Sequence, residues 1–138
     1  MADKQSLIDG LNEDLNMELE TVLRMILHSA TATGLLGHEL RESLKEDLTG
    51  EVEHAMFLAD KIVSLGGEPS INLKMPAKHK SAKEMLQEDV AAEHKAIAAY
   101  SRHIKMAEEL GEKGLVIRLE DMLADETEHA EELERLAR

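Results

Sequence analysis

The chain contains no cysteine and no tryptophan, only two prolines, and two aromatic residues, Phe57 and Tyr100. Without cysteine there can be no disulfides, thiolate zinc sites, iron–sulfur clusters or cysteine nucleophiles. With so few rings, any core must be aliphatic, built from Leu, Ile, Val, Ala and the eight Met. No stretch approaches about 18 uninterrupted apolar residues, and Met1-Ala2-Asp3-Lys4-Gln5-Ser6 lacks an apolar run behind a basic start. The expectation is a cytoplasmic protein with no membrane partner. Basic residues are also scarce: 16 Lys and Arg stand against 29 Asp and Glu, for a net charge of −13. A protein that neutralises phosphates needs the opposite sign, so no nucleic acid partner is expected, whereas cations are attracted.

What is present suits a helical chain. The 138 residues, 43% hydrophobic and 33% charged, fit one domain spanning 1–138. A first helical pattern runs from Ser6, expected as its N-cap, to Gly34. The break Gly34-Leu35-Leu36-Gly37 leads to a second pattern ending at Gly66-Gly67. A linker from about Gly66 to Lys80 holds both prolines, Pro69 and Pro76. Ser81-Ala82-Lys83-Glu84 forms a capping box that opens a third helix, which stops at Gly111. The fourth starts after Gly114 and runs to the C-terminus. A helix of about 28 residues is about 42 Å long, and a linker of about 15 residues can reach about 50 Å. The pattern therefore predicts an all-α four-helix bundle: two antiparallel hairpins joined by a long crossover.

Each helix carries one anomaly. The apolar seams are Ile8, Leu11, Leu15, Val22, Met25; Leu44, Leu48, Ala55, Leu58, Ile62, Leu65; Leu86, Val90, Ile97, Tyr100, Ile104; and Leu119, Met122, Leu133, Leu136. In each, one inward slot is taken by a glutamate: Glu18, Glu51, Glu93 and Glu126. Two are followed by histidine one turn later, Glu51 by His54 and Glu126 by His129, and i and i+3 share a helix face. Such pairs arise by chance in a chain this rich in Glu, but the spacing is harder to dismiss. Glu18 to Glu93, Glu51 to Glu126 and His54 to His129 are each separated by 75 positions, the mark of an internal repeat. Clustered buried carboxylates repel unless something positive lies among them. Four carboxylates and two imidazoles form a ligand set for two ions, Fe or Mn and sometimes Zn, and bridging glutamates hold such ions about 3.5–4 Å apart.

At these residues the chain resembles the ferritin-like superfamily, and within it bacterioferritin. The resemblance runs through Met17-Glu18-Leu19, Leu27-His28, Glu51-Val52-Glu53-His54-Ala55, Leu65-Gly66-Gly67-Glu68-Pro69, Glu93 and Asp125-Glu126-Thr127-Glu128-His129. It implies terminal ligands at Glu18 and Glu93, bridging ligands at Glu51 and Glu126, and one imidazole per metal from His54 and His129. It further implies a di-iron ferroxidase that oxidises Fe(II) with oxygen or peroxide, for iron storage or detoxification, in a homo-oligomer. Three departures shape the expectations. The position of the haem-ligating Met is Val52, so no haem is expected. The family's Asp before each Glu-x-x-His is present as Asp125 but replaced by Gly50, for which a local bulge and a water-held His129 are expected. No fifth helix follows the fourth, which counts against a 24-subunit cage and leaves a dimer or dodecamer.

Two rival readings carry weight: a di-iron or di-manganese peroxide-scavenging enzyme, and a non-catalytic helical bundle or mini-ferritin. Tyr100, on the face of Glu93, could touch a ligand carboxylate, donate an electron or simply fill the core. His28, His38, His79, His94 and His103 fit neither half-site and are expected at the surface. Asp47, Glu20, Glu53 and Glu128 are expected to be solvated, and Met25 and Met122 to fill the core.

Overall fold

Asp3, not Ser6, opens the first helix: its carboxylate accepts the Ser6 N–H at 2.7 Å, so the helix starts three residues before the sequence pattern suggested. The computed structural model describes residues 2–79 and 81–138. Met1 and Lys80, the expected start of the domain and end of the linker, lie outside the described residues. The elements are α1 (Lys4–Thr31), α2 (Gly34–Ser64), α3 (Ala82–Glu109) and α4 (Lys113–Leu136), and no strand occurs among the described residues. No helix among them is long and apolar enough to cross a membrane.

The helix ends differ from the sequence reading where glycine is involved. The Gly34–Gly37 stretch is the first turn of α2 rather than a break, entered through Gly34 at φ +78°. Left-handed Gly111, at φ +72°, turns the chain so tightly that α4 begins at Lys113 rather than after Gly114. Ser81 caps α3 as expected, its Oγ accepting from Glu84 N–H at 3.2 Å.

α1 packs on α2 and α3 on α4, and the two hairpins meet mainly through α1 and α3. The crossover is laced to α1 by polar side chains one helical turn apart. Asn12 accepts from Ser70 N–H and donates to Glu68 O; Asn16 does the same for Asn72 and Ser70; Glu20 accepts from Lys74 N–H at 3.0 Å. Glu20 is therefore half-buried, not solvated as expected; Glu53 and Glu128 are exposed. Each lacing contact satisfies a backbone group of an otherwise structureless segment.

Along every helix the seam runs from one apolar cluster to another across a polar layer. Leu15, Ala55, Ala96 and Met122 belong to one cluster; Met25, Leu44, Leu86 and Leu133 belong to the other. Between them, in chain order on the four helices, lie Glu18, Glu51, Glu93 and Glu126. Val22, Leu48, Val90, Ile97 and Leu136 sit at the edges of the seam and are half-buried.

Two histidines expected at the surface are buried. His103 places Nδ1 2.7 Å from Asp14 Oδ2, and His28 places Nδ1 3.0 Å from both oxygens of Asp89. His38 and His94 are exposed, and His79 is half-buried. Burial of an imidazole is tolerable here because each meets a carboxylate from another helix.

Candidate metal centre

The four inward glutamates are nearly sealed from solvent: Glu51 is 0% exposed, Glu126 1%, Glu18 2% and Glu93 3%. Their oxygens and the two imidazoles converge in two overlapping groups, Glu18–Glu51–His54–Glu126 and Glu51–Glu93–Glu126–His129, the donor atoms of each lying within 4.8 Å of one another. Glu51 and Glu126 belong to both groups. Glu18 and His54 belong only to the first, Glu93 and His129 only to the second. The structure therefore brings together all six residues singled out from the sequence.

Both imidazoles present Nδ1 to the interior. His54 Nδ1 lies 3.1 Å from Glu126 Oε1 and 3.6 Å from Glu18 Oε1, and His129 Nδ1 lies 2.9 Å from Glu51 Oε1. Their outer nitrogens each meet a carboxylate on another helix. His54 Nε2 pairs with Asp125 at 2.9 Å, and His129 Nε2 lies 3.4 Å from Asp47 Oδ1. A carboxylate on the outer nitrogen fixes the tautomer and aims the inner lone pair.

Asp47 is half-buried rather than solvated as expected, and its carboxylate stands 3.4 Å from His129 Nε2, the nitrogen for which water was expected. Gly50 makes no bulge either: α2 is continuous across it, and a Cβ there would meet nothing within 4 Å. The carboxylate missing at Gly50 is offered one turn earlier on the same helix. The signal was in the sequence, because Asp47 stands four residues before Glu51 and so shares its face. Tyr100 is fully buried and donates from its hydroxyl to Glu18 Oε1 at 2.5 Å. It thus touches a candidate ligand, which was one of the roles left open for it.

The electrostatics are those of a site short of positive charge. Burial, and next the neighbouring Glu126 carboxylate, push Glu93 up to about 11. Burial and the facing Glu18, Glu126 and Glu93 push Glu51 well above the usual carboxylate range. Burial opposes ionisation of Glu126 too, but the His129 and His54 rings outweigh it and hold that carboxyl below its ordinary value. Against the same burial, Glu126 and Glu18 raise His54 to about 10, and Glu126 raises His129. Protons thus stand in for cations.

The chemistry of the donors fits divalent metal. Glu18 Oε2, both oxygens of Glu51, Glu93 Oε2, Glu126 Oε1 and the Nδ1 atoms of His54 and His129 are buried without a hydrogen-bond partner. Buried polar atoms without partners are costly, and two divalent ions displacing the protons would satisfy them while balancing four carboxylates. Carboxylate oxygen with imidazole nitrogen suits Fe, Mn or Zn.

Comparison with known proteins agrees. The ferritin-like domain family matches residues 8–138. A bacterioferritin of Mycobacterium leprae is 29% identical over 125 residues, covering 90% of this chain and 79% of that protein. A crystal structure from Bacillus anthracis, described as ferritin-like, diiron-carboxylate proteins, superimposes with a TM-score of 0.94 at 35% identity, covering 100% of both chains. A dodecameric thioferritin from Bacteroides fragilis shares the fold, with a TM-score of 0.89 at 22% identity over 99% of this chain and 86% of that one. With nearly its whole length matched, the chain belongs to the ferritin-like family.

Proposed function

We propose that this protein is a ferroxidase: it binds two Fe(II) ions per chain as substrate and oxidises them with oxygen or peroxide, serving iron storage or detoxification. The observation that carries the reading is the pair of overlapping donor groups sharing Glu51 and Glu126. A shared carboxylate pair can hold two ions close enough for each to give one electron to the same oxidant. Glu18 with His54, and Glu93 with His129, complete the two coordination sets, and no haem is part of the reading. The bacterioferritin and diiron-carboxylate relatives support it.

The surrounding residues have distinct work. Asp125 and Asp47 aim the imidazoles, and the Tyr100 hydroxyl holds Glu18 in one orientation. Glu51 and Glu93, held protonated by burial and by neighbouring carboxylates, give up their protons as cations enter. The two apolar clusters on either side keep bulk water from the centre. All of this takes place within one domain.

The outer face of the first hairpin supports a homo-oligomer. Val52, Met56 and Ile71 are exposed beside Leu19, Val22, Ala59 and Pro69 in an apolar groove, a surface that a second copy would cover. Aerobic Fe(II) titration tests the activity: fast oxidation should saturate near two irons per chain, and Glu51→Ala or Glu126→Ala should abolish the fast phase. Oxidation by these variants at the wild-type rate would overturn the proposal.

A further inference from the structure

A second cluster of metal-ligand side chains lies outside the dinuclear centre, at the end of the crossover. His28 of α1, His79 of the linker and Glu88 of α3 bring one donor atom each within 4.8 Å of one another. His79 Nε2 lies 2.7 Å from Glu88 Oε2, and His28 Nε2 lies 3.5 Å from Glu88 Oε1. On α1, His28 stands ten residues beyond Glu18, or about 15 Å along the axis, so this is a separate place. Arg24, between them in the chain, reaches Asp89 at 3.6 Å.

The state of His28 points to a ligand. The ring is only 3% exposed, and its Nε2 has no hydrogen-bond partner; neither has Glu88 Oε1 opposite it. Asp89 lies 3.0 Å from Nδ1 through both oxygens and has Arg24 as its cation. Nδ1, facing a carboxylate, is the donor there, so in the neutral tautomer that this contact selects the lone pair is at Nε2. This is the carboxylate–histidine arrangement that prepares an imidazole for metal. A buried histidine kept only for packing would not leave its inward nitrogen unpaired against an unpaired carboxylate oxygen.

We infer that His28, His79 and Glu88 form a mononuclear site for one divalent transition-metal ion, with Asp89 as the positioning residue behind His28. Two imidazoles and one carboxylate suit Zn(II), Fe(II) or Co(II) and leave a fourth position for water. Donors about 2.0–2.2 Å from a tetrahedral ion lie about 3.3 Å apart, so His79 Nε2 and Glu88 Oε2, now 2.7 Å apart, would have to separate while His28 Nε2 and Glu88 Oε1, at 3.5 Å, would close slightly. Of the three partners only His79 stands outside a helix, on the linker. Metal binding here would join the end of the crossover to both hairpins, at α1 and α3.

The test is the number of Zn(II) ions retained by the full chain after equilibrium dialysis against excess Mg(II), which occupies weak all-oxygen surface sites. Wild type should retain three ions per chain, H79A/E88A two and E51Q/E126Q one, with helical circular dichroism confirming that each variant is folded. Retention of three ions by H79A/E88A would overturn the inference, as would a wild type that keeps only two and loses both in E51Q/E126Q. A wild type that keeps one ion and loses it in H79A/E88A would uphold this site while removing the dinuclear reading, so the two claims fail separately.

Discussion

At the scale of single residues, the two imidazoles of the centre are supported unequally. His54 has Asp125 at hydrogen-bond distance, 2.9 Å, whereas Asp47 stands 3.4 Å from His129 and starts from a different turn. Removing either carboxylate's charge should loosen its imidazole, and such changes cost about 10–100-fold in metal affinity. Asp47→Asn should therefore weaken one of the two ions by that order while leaving the other near its wild-type affinity, as read by calorimetric titration with Mn(II). Unchanged affinity for both ions would show that water suffices for His129. The six candidate ligand positions, which the fold does bring together, were legible in the sequence because helical spacing and the 75-residue repeat are local or countable properties. The burial of His28 and His103 was not, because it depends on Asp89 and Asp14, which lie 61 and 89 positions away. Nothing in the neighbourhood of either histidine announces its partner.

At the scale of elements, two glycines inside helices have opposite meanings. A Cβ at Gly10 of α1 would come within 2.6 Å of His103 Cδ2 and 2.7 Å of its Nε2. That ring cannot retreat without disturbing its buried bond to Asp14. Gly→Ala gains up to about 1 kcal/mol in helix propensity, but overpacking a constrained site costs about 1–3 kcal/mol. Gly10→Ala should therefore destabilise the protein by about 1 kcal/mol or more in urea unfolding. Gly50→Ala meets open space and a regular helix, so only the propensity gain remains, and it should stabilise by about 0.5–1 kcal/mol. If both substitutions moved stability in the same direction, close α1–α3 approach would not be the reason for Gly10. The four helices and the crossover were legible from periodicity and from Gly and Pro placement. The path of the crossover was not. Asn12, Asn16 and Glu20 look like an ordinary polar face until the linker backbone lies against them.

At the scale of the whole molecule, the centre makes stability a function of both protons and metal. Besides Glu51, His129 and Tyr100, the raised groups in the metal-free protein are Asp14 and Asp47, each pushed by burial to about 6, His54 at about 10 and Glu93 at about 11. The ordinary values are 3.8 for Asp, 4.5 for Glu and 6.5 for His. Between about pH 5 and 9 the folded state therefore binds more protons than the unfolded chain, and stability falls as pH rises. Glu126 works in the opposite sense, but its contribution is complete once pH exceeds its ordinary value of 4.5. Self-repulsion from the net charge of −13 adds to the decline. Metal competes with those same protons, so its affinity, and with it the stabilisation it confers on the folded state, grows in the direction in which the metal-free protein weakens. Thermal melts of the metal-free protein should peak near pH 5 and fall by on the order of 5–10 °C by pH 9, while added Mn(II) should raise the midpoint more at pH 8 than at pH 6. A metal-free midpoint that climbed across this range, or a manganese shift larger at pH 6, would mean that the buried carboxylates do not hold protons in place of cations.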